Sequence, residues 1–396
     1  MRLIAVAASI LVLSVIVTSQ APTDESPAAQ MRGQHTFRYD TFGDEQLWTD
    51  TLRMHEVLPG VSPMAALSLG LKVDVDALTP PVRKALLAGQ VNLNDPAVTL
   101  ALLKMDAVVG VSAKIANDRL TSVGITCALC HSSVDDSVTT GVGHRRDGWA
   151  NVTLDVGKIV ALSPALPGAL KVELQSWGPG KYDPRHHIFN GQSLDIINSP
   201  SLPVVIPPAY GLQGVGFETY TGDGPISYWN AYVGITQMGG KGDFSDPRIN
   251  VLVSQQPDLV TPRLSALMAY QLSLTAPPPP AGTVDTAAAE RGRTVFMGAG
   301  RCSGCHIPPT YTDVLLSPQP FLHPPTVVGT ETVYATKSAT KMYRTTPLRG
   351  LWQHPPYFHD GSAQTLVDVV NHYDGLIPLG LTPAQKADLV EFLKTL

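Results

Sequence analysis

Every cysteine of this chain stands in one of two matching runs. Cys127-Ala128-Leu129-Cys130-His131 and Cys302-Ser303-Gly304-Cys305-His306 both read C-x-x-C-H, and together they use all 4 cysteines. Two thiols at this spacing can add across the two vinyl groups of a haem, and the adjoining imidazole then reaches the iron as a neutral proximal ligand. Competing chemistries explain less. A redox disulfide does not require a following histidine twice, and so short a loop gains little closure entropy from a disulfide. Zinc needs a second half-site, and no further C-x-x-C stands at ribbon spacing. The runs therefore imply two covalent haem c groups, with Cys127, Cys130, Cys302 and Cys305 as anchors and His131 and His306 as proximal iron ligands.

The elements that position these motifs are read from composition and pattern. The chain has 396 residues, 44% hydrophobic, with 34 Gly and 34 Pro. That length suggests two domains, and Gly plus Pro at about 17% against an average of ~12% implies many loops. A net charge of −5 leaves no basic excess for nucleic acid. Arg2, the apolar run Leu3 to Val17 and the small residues Ser19 and Ala21 read as a secretory signal (residues 1–21). The run is shorter than the ~20 residues of a membrane-spanning helix. A soluble, periplasmic mature protein is expected, with an uncleaved anchor as the alternative.

The motifs lie 175 residues apart, and the segments downstream of them are similar. Tyr220-Thr221-Gly222-Asp223-Gly224 matches Tyr357-Phe358-His359-Asp360-Gly361, and Asn230-Ala231-Tyr232 matches Asn371-His372-Tyr373. Each half closes with an apolar-periodic helix, from Thr261-Pro262 and from Thr382-Pro383, with Thr as N-cap and Pro at the first position. The expected organisation is an N-terminal extension at 22–94, a first haem domain at 95–275, a Pro-rich linker at 276–283 and a second haem domain at 284–396. A helix from Thr286 to Phe296, capped by Thr286, should lead into the second motif, and a comparable segment from Asp95 to Ala116 into the first.

From about residue 110 to the end, the chain resembles the bacterial di-haem cytochrome c peroxidases and their MauG relatives. The resemblance rests on Thr345-Thr346-Pro347-Leu348-Arg349-Gly350-Leu351, on Pro356-Tyr357-Phe358-His359-Asp360-Gly361-Ser362, and on the closing Leu381-Thr382-Pro383 with Ala387-Asp388-Leu389-Val390-Glu391-Phe392-Leu393. It implies an all-α fold of two loop-rich, cytochrome-c-like helical lobes, one haem in each. One haem collects electrons, and the other, in the N-terminal lobe, reacts with peroxide. It further implies a small redox protein or quinol-linked electron donor, hydrogen peroxide as candidate substrate, calcium between the lobes as a candidate cofactor, and a homodimer as candidate assembly.

The distal ligands decide between open-site chemistry and electron transfer alone. For the first haem the resemblance points to His144, against a surface-loop reading, with His186, His187 and Met238 as alternatives. For the second it points to Tyr373, with His372 and Met342 as alternatives, and places His359 beside the haem. Trp149, Trp177, Trp229 and Trp352 are aromatic candidates near haem, though such residues are more often core. The chain departs from the peroxidase pattern at Gln237, where the family often has Glu before Met-Gly. An amide cannot shuttle a proton, and such help is worth about 10²–10⁴-fold. Glu218 or Asp223 are alternative acid–base groups. The expected function is haem-based electron transfer with peroxide reduction. The alternatives are an electron carrier with both irons six-coordinate, or oxidation of an organic or protein substrate, as in MauG, to which Tyr373 points.

Overall fold

The computed structural model describes residues 24–183, 201–315 and 320–396. The signal-sequence expectation, His186 and His187 lie outside them. No helix among the described residues is long and apolar enough to cross a membrane.

Each half is organised by an opening helix crossing a closing helix. In the second half these are Thr286–Met297 and Pro383–Lys394. Asp285, one residue before the expected Thr286, caps the opening helix by accepting from the Ala287 and Ala288 amides, both at 3.0 Å. Thr382 and Gln385 form a reciprocal capping box on the closing helix, satisfying two orphan amides at once. In the first half the closing helix is Leu264–Ser273, entered through the 3₁₀ turn Thr261–Arg263. Its crossing partner is Pro27–Tyr39, started by Pro27 and by Ser26, whose hydroxyl accepts from the Ala29 amide.

This pairing corrects the expected boundary at residue 94. The sequence reading sets residues 22–94 outside both haem domains, yet their first helix is the first half's opening helix. The two crossings share one geometry. A Cβ on Gly33 would lie 1.9 Å from the Ala266 carbonyl oxygen, and one on Gly292 would lie 1.9 Å from that of Asp388. Four residues after each glycine stands a fully buried phenylalanine, Phe37 or Phe296. Phe37 meets Tyr270 at 5.6 Å and 63°, and Phe296 meets Phe392 at 5.2 Å and 64°. Only a residue without a side chain lets the backbones approach this far, and the aromatic pair fills the space beyond. The shared pattern is Arg-Gly-x-x-x-Phe, at Arg32–Phe37 and Arg291–Phe296.

The halves differ in the path from crossing to motif. Phe296 precedes Cys302 by six residues, whereas Phe37 precedes Cys127 by ninety. This longer connection includes the helices Pro63–Ser68, Pro80–Leu87 and Pro96–Lys104. It ends in the antiparallel hairpin Val111–Ala116 and Arg119–Ile125, not in a helix reaching Ala116. Asn117 and Asp118, at φ 50° and 57°, make its two-residue turn, the left-handed conformation that Asn and Asp tolerate best. The expected all-α class left no place for such ribbons. Among the described residues there are six two-stranded sheets, none joined into a layer.

The apolar core is divided. Among the described residues, one cluster of the first half is built on Val73, Leu102, Leu103 and Val142, and two more lie beneath its motif, with Cys130 packed on one and Cys127 on the other. A further cluster fills the second half and carries Cys302. Replacing Gly33 or Gly292 by Ala forces the helices apart and is expected to cost about 1–3 kcal/mol. Urea unfolding should show a lower midpoint at unchanged slope, while Gly168→Ala, with open space at its Cβ, should stay near wild type.

Candidate haem sites

Each motif folds into a single turn that turns its thiols and imidazole toward the core. The His131 amide donates to the Cys127 carbonyl at 3.1 Å, and the His306 amide to that of Cys302 at 2.9 Å. Burial pushes the Cys127 and Cys130 thiols up to about 12, with the neighbouring Cys130 sulfur adding to the effect at Cys127. Burial likewise pushes Cys302 up to about 11 and raises Cys305. All four are therefore thiols at neutral pH, poorly suited to disulfide exchange, which proceeds through the thiolate.

The imidazoles are fixed alike. His131 Nδ1 lies 3.0 Å from the Pro207 carbonyl, and His306 Nδ1 lies 2.9 Å from the Tyr311 carbonyl. A carbonyl can only accept, so Nδ1 carries the proton and Nε2 is the nitrogen left with a lone pair for a metal. This backbone anchor is the usual second partner of a metal-bound histidine. Burial lowers His131 to about 4 and also lowers His306, against the opposing pull of these carbonyls. Both rings are neutral at pH 7, the form that ligates iron. Two half-buried thiols beside one neutral, oriented imidazole, made twice, fit covalent haem c. The carbonyls of Pro207 and Tyr311 were not found by sequence reasoning, because no spacing rule marks a backbone acceptor.

The distal candidates separate. Tyr373 is buried near the second motif; burial first, then the Cys305 and Cys302 sulfurs, push its phenol up to about 12. Its ring meets His372 at 5.1 Å and Phe358 at 6.0 Å. His372 spends Nε2 on the Val328 carbonyl at 2.9 Å. His359 is buried on the Tyr343 hydroxyl at 3.0 Å and stacks on Tyr334 at 5.3 Å. His144 is placed differently from its expected role. Its half-exposed ring holds the Asp76 carboxylate at 2.9 Å, and that bond raises its pKa. The glycine-flanked loop carries it on a surface strand edge, so it joins an exposed pair, not the buried interior. Met238 is buried in the same cluster that Cys127 packs on.

The acid–base candidates are all engaged. Gln237 ends the π-helical turn Val233–Gln237, buried, its amide donating to the Thr236 hydroxyl at 3.1 Å. Asp223 accepts from the Thr221 hydroxyl at 2.7 Å and the Thr340 amide at 2.9 Å. Glu218 accepts from Arg344 at 2.9 Å in a buried pair joining the two halves. Burial raises its pKa, and Arg344 opposes the shift. Among the described residues, Cys305, Asp313 and His323 bring potential metal-binding atoms within 4.8 Å of one another. A thiol and an imidazole do not suit calcium, which takes oxygen ligands, and a thioether to haem would remove Cys305 from any such set.

Trp149 and Trp352 meet edge to face at 5.7 Å and 88° across the junction of the halves. Trp177 and Trp229 pack in aromatic clusters with Tyr182 and with Tyr228 and Tyr232. The junction is further tied by the Tyr210 hydroxyl to the Gly350 carbonyl at 3.0 Å and by the Val205 amide to the His359 carbonyl at 2.7 Å.

No family model matches the chain, and no curated protein matches it. Among solved structures, the chain is similar to Kuenenia stuttgartiensis hydrazine synthase pressurised with xenon, at 19% identity and a TM-score of 0.32, covering 50% of this chain and 74% of that one. It is also similar to a MauG-like protein associated with microbial copper homeostasis, at 22% identity and a TM-score of 0.26, covering 34% of this chain and 55% of that one. Similarities this partial carry no argument about this chain, whose case rests on its own residues.

Arg344→Met leaves the Glu218 carboxyl buried without its partner and should cost on the order of 3–5 kcal/mol. The double variant Glu218→Gln/Arg344→Met should recover most of that loss in urea unfolding. A double variant as unstable as the single one would show that the pair's charges do not compensate each other.

Proposed function

We propose that this chain is a di-haem c-type cytochrome that moves electrons between two covalently held haems. One observation carries the reading: two C-x-x-C-H turns, each presenting half-buried thiols and an imidazole whose Nδ1 is anchored on a backbone carbonyl. Haem supplies a one-electron couple at each site. The chain's residues hold and tune it. His131 and His306 are the proximal ligands, kept neutral by burial and oriented by Pro207 and Tyr311. Tyr373 is the better-supported distal residue at the second site, since His372 is bonded to a carbonyl. Its phenol is neutral in the protein alone, so ligation requires it to lose that proton. At the first site, burial favours Met238 over His144. The Trp149–Trp352 contact supplies an aromatic route across the junction.

Reduction of hydrogen peroxide at the first haem is the more specific reading. The resemblance to the di-haem peroxidases supports it. The surface position of His144 and the engagement of Glu218 and Asp223 weigh against it. A tyrosine ligand at the second site suits the further reading of organic or protein oxidation. Export to the periplasm and a small redox protein or quinol-linked donor belong to the same proposal.

The test is haem retention after denaturing electrophoresis. The variants Cys127→Ala/Cys130→Ala and Cys302→Ala/Cys305→Ala should each keep half the haem stain of the wild type. Full retention in either variant contradicts the assignment. Mixing the half-reduced protein with peroxide separates the finer readings: a rapid spectral change at one haem marks peroxide chemistry, and an unchanged spectrum marks an electron carrier.

A further inference from the structure

The long connection that distinguishes the first half packs against the core beneath the motif and leaves a space there. A cavity of about 60 Å³ lies between the core beneath the first motif and the helices of that connection. Its wall includes Leu129, which stands between Cys127 and Cys130, together with Ile125, Trp48, Leu102 and Leu103. Three wall residues carry polar side-chain groups, and each is spent on a partner. Trp48 Nε1 donates to the Met238 carbonyl at 3.1 Å. Lys72 Nζ donates to the Thr153 hydroxyl at 2.8 Å, and the Thr99 hydroxyl donates to the Val61 carbonyl at 2.6 Å.

These facts decide what the cavity can hold. A water molecule needs ~10–15 Å³ and two to four polar partners. The volume is ample, but the partners are spent elsewhere, so water loses its hydrogen bonds on entering. Wall atoms facing an empty space forfeit dispersion contacts. A small apolar guest restores them without any loss of hydrogen bonding. Hydrogen peroxide, a donor and acceptor at both ends, is disfavoured like water.

We propose that this cavity is a binding site for a small nonpolar gas of the dioxygen class, held against the turn that carries the first pair of cysteines. Its meaning as a gas store beside a haem rests on the di-haem reading; the binding itself does not.

Xenon is the probe, read by the concentration-dependent shift of its NMR signal in solutions of the intact holoprotein. A saturable shift is expected. Ala66→Leu, which places a larger side chain on the cavity wall, should abolish it. Leu103→Ala, which enlarges the space, should strengthen it. No saturable shift, or a shift unchanged in both variants, overturns the proposal. Haem absorbance of the same samples keeps the two readings apart. A full haem spectrum without xenon binding sinks the cavity site alone, and xenon binding without covalent haem sinks the di-haem reading alone.

Discussion

Two thiols and an imidazole confined to one turn of chain need a wall that buries them and a partner that aims the ring. The rest of this molecule is shaped by meeting that need twice. Burial keeps both histidines neutral, the form that ligates iron. Burial alone leaves the imidazole free to rotate. The Pro207 and Tyr311 carbonyls remove that freedom, each fixing the proton on Nδ1. The Pro207 carbonyl comes from 76 residues beyond His131, so the first site is completed only by folding of its half, whereas Tyr311, 5 residues beyond His306, anchors the second ring locally.

The walls come from the helix crossings. An aromatic pair and a glycine at each crossing set how closely the opening and closing helices approach, and the motif packs on the core so formed. The two halves solve this with the same residue pattern but different connections. The second goes straight from crossing to motif. The first inserts helices, a hairpin and an apolar-lined space. The backbone repeats at the junction too: Thr219 and Gly222 carry φ of 61° and 57°, matching 63° and 71° at Phe358 and Gly361. This sets Tyr220 opposite His359, two residues off the pairing suggested by identity, and the two rings lie 6.1 Å apart.

What was legible in the sequence was what chemistry fixes at short range. The motifs stand out because their spacing suits haem, and the second closing helix because Thr382-Pro383 caps and starts it locally. Thr261 is not the expected cap, since Thr261-Pro262 opens a 3₁₀ turn and the first closing helix begins only at Leu264. The opening helix of the first half was hidden by distance: Arg-Gly-x-x-x-Phe is present twice, but ninety residues separate Phe37 from its motif. The hairpin carries a readable signal, Asn117-Asp118 between alternating strands, which the apolar run of a helix masks. His144 shows the opposite limit. A histidine after glycines suits a ligand and a surface loop equally, and the neighbouring Asp76, sixty-eight positions away, cannot be inferred from spacing.

The central claim is that all four cysteines are spent on two haems. Intact-mass measurement of the purified protein after treatment with a thiol-alkylating reagent under denaturing conditions tests it most directly. The account expects the chain mass plus two haem groups and no alkylation at all. A mass showing alkylated cysteines, or fewer than two haems, contradicts it.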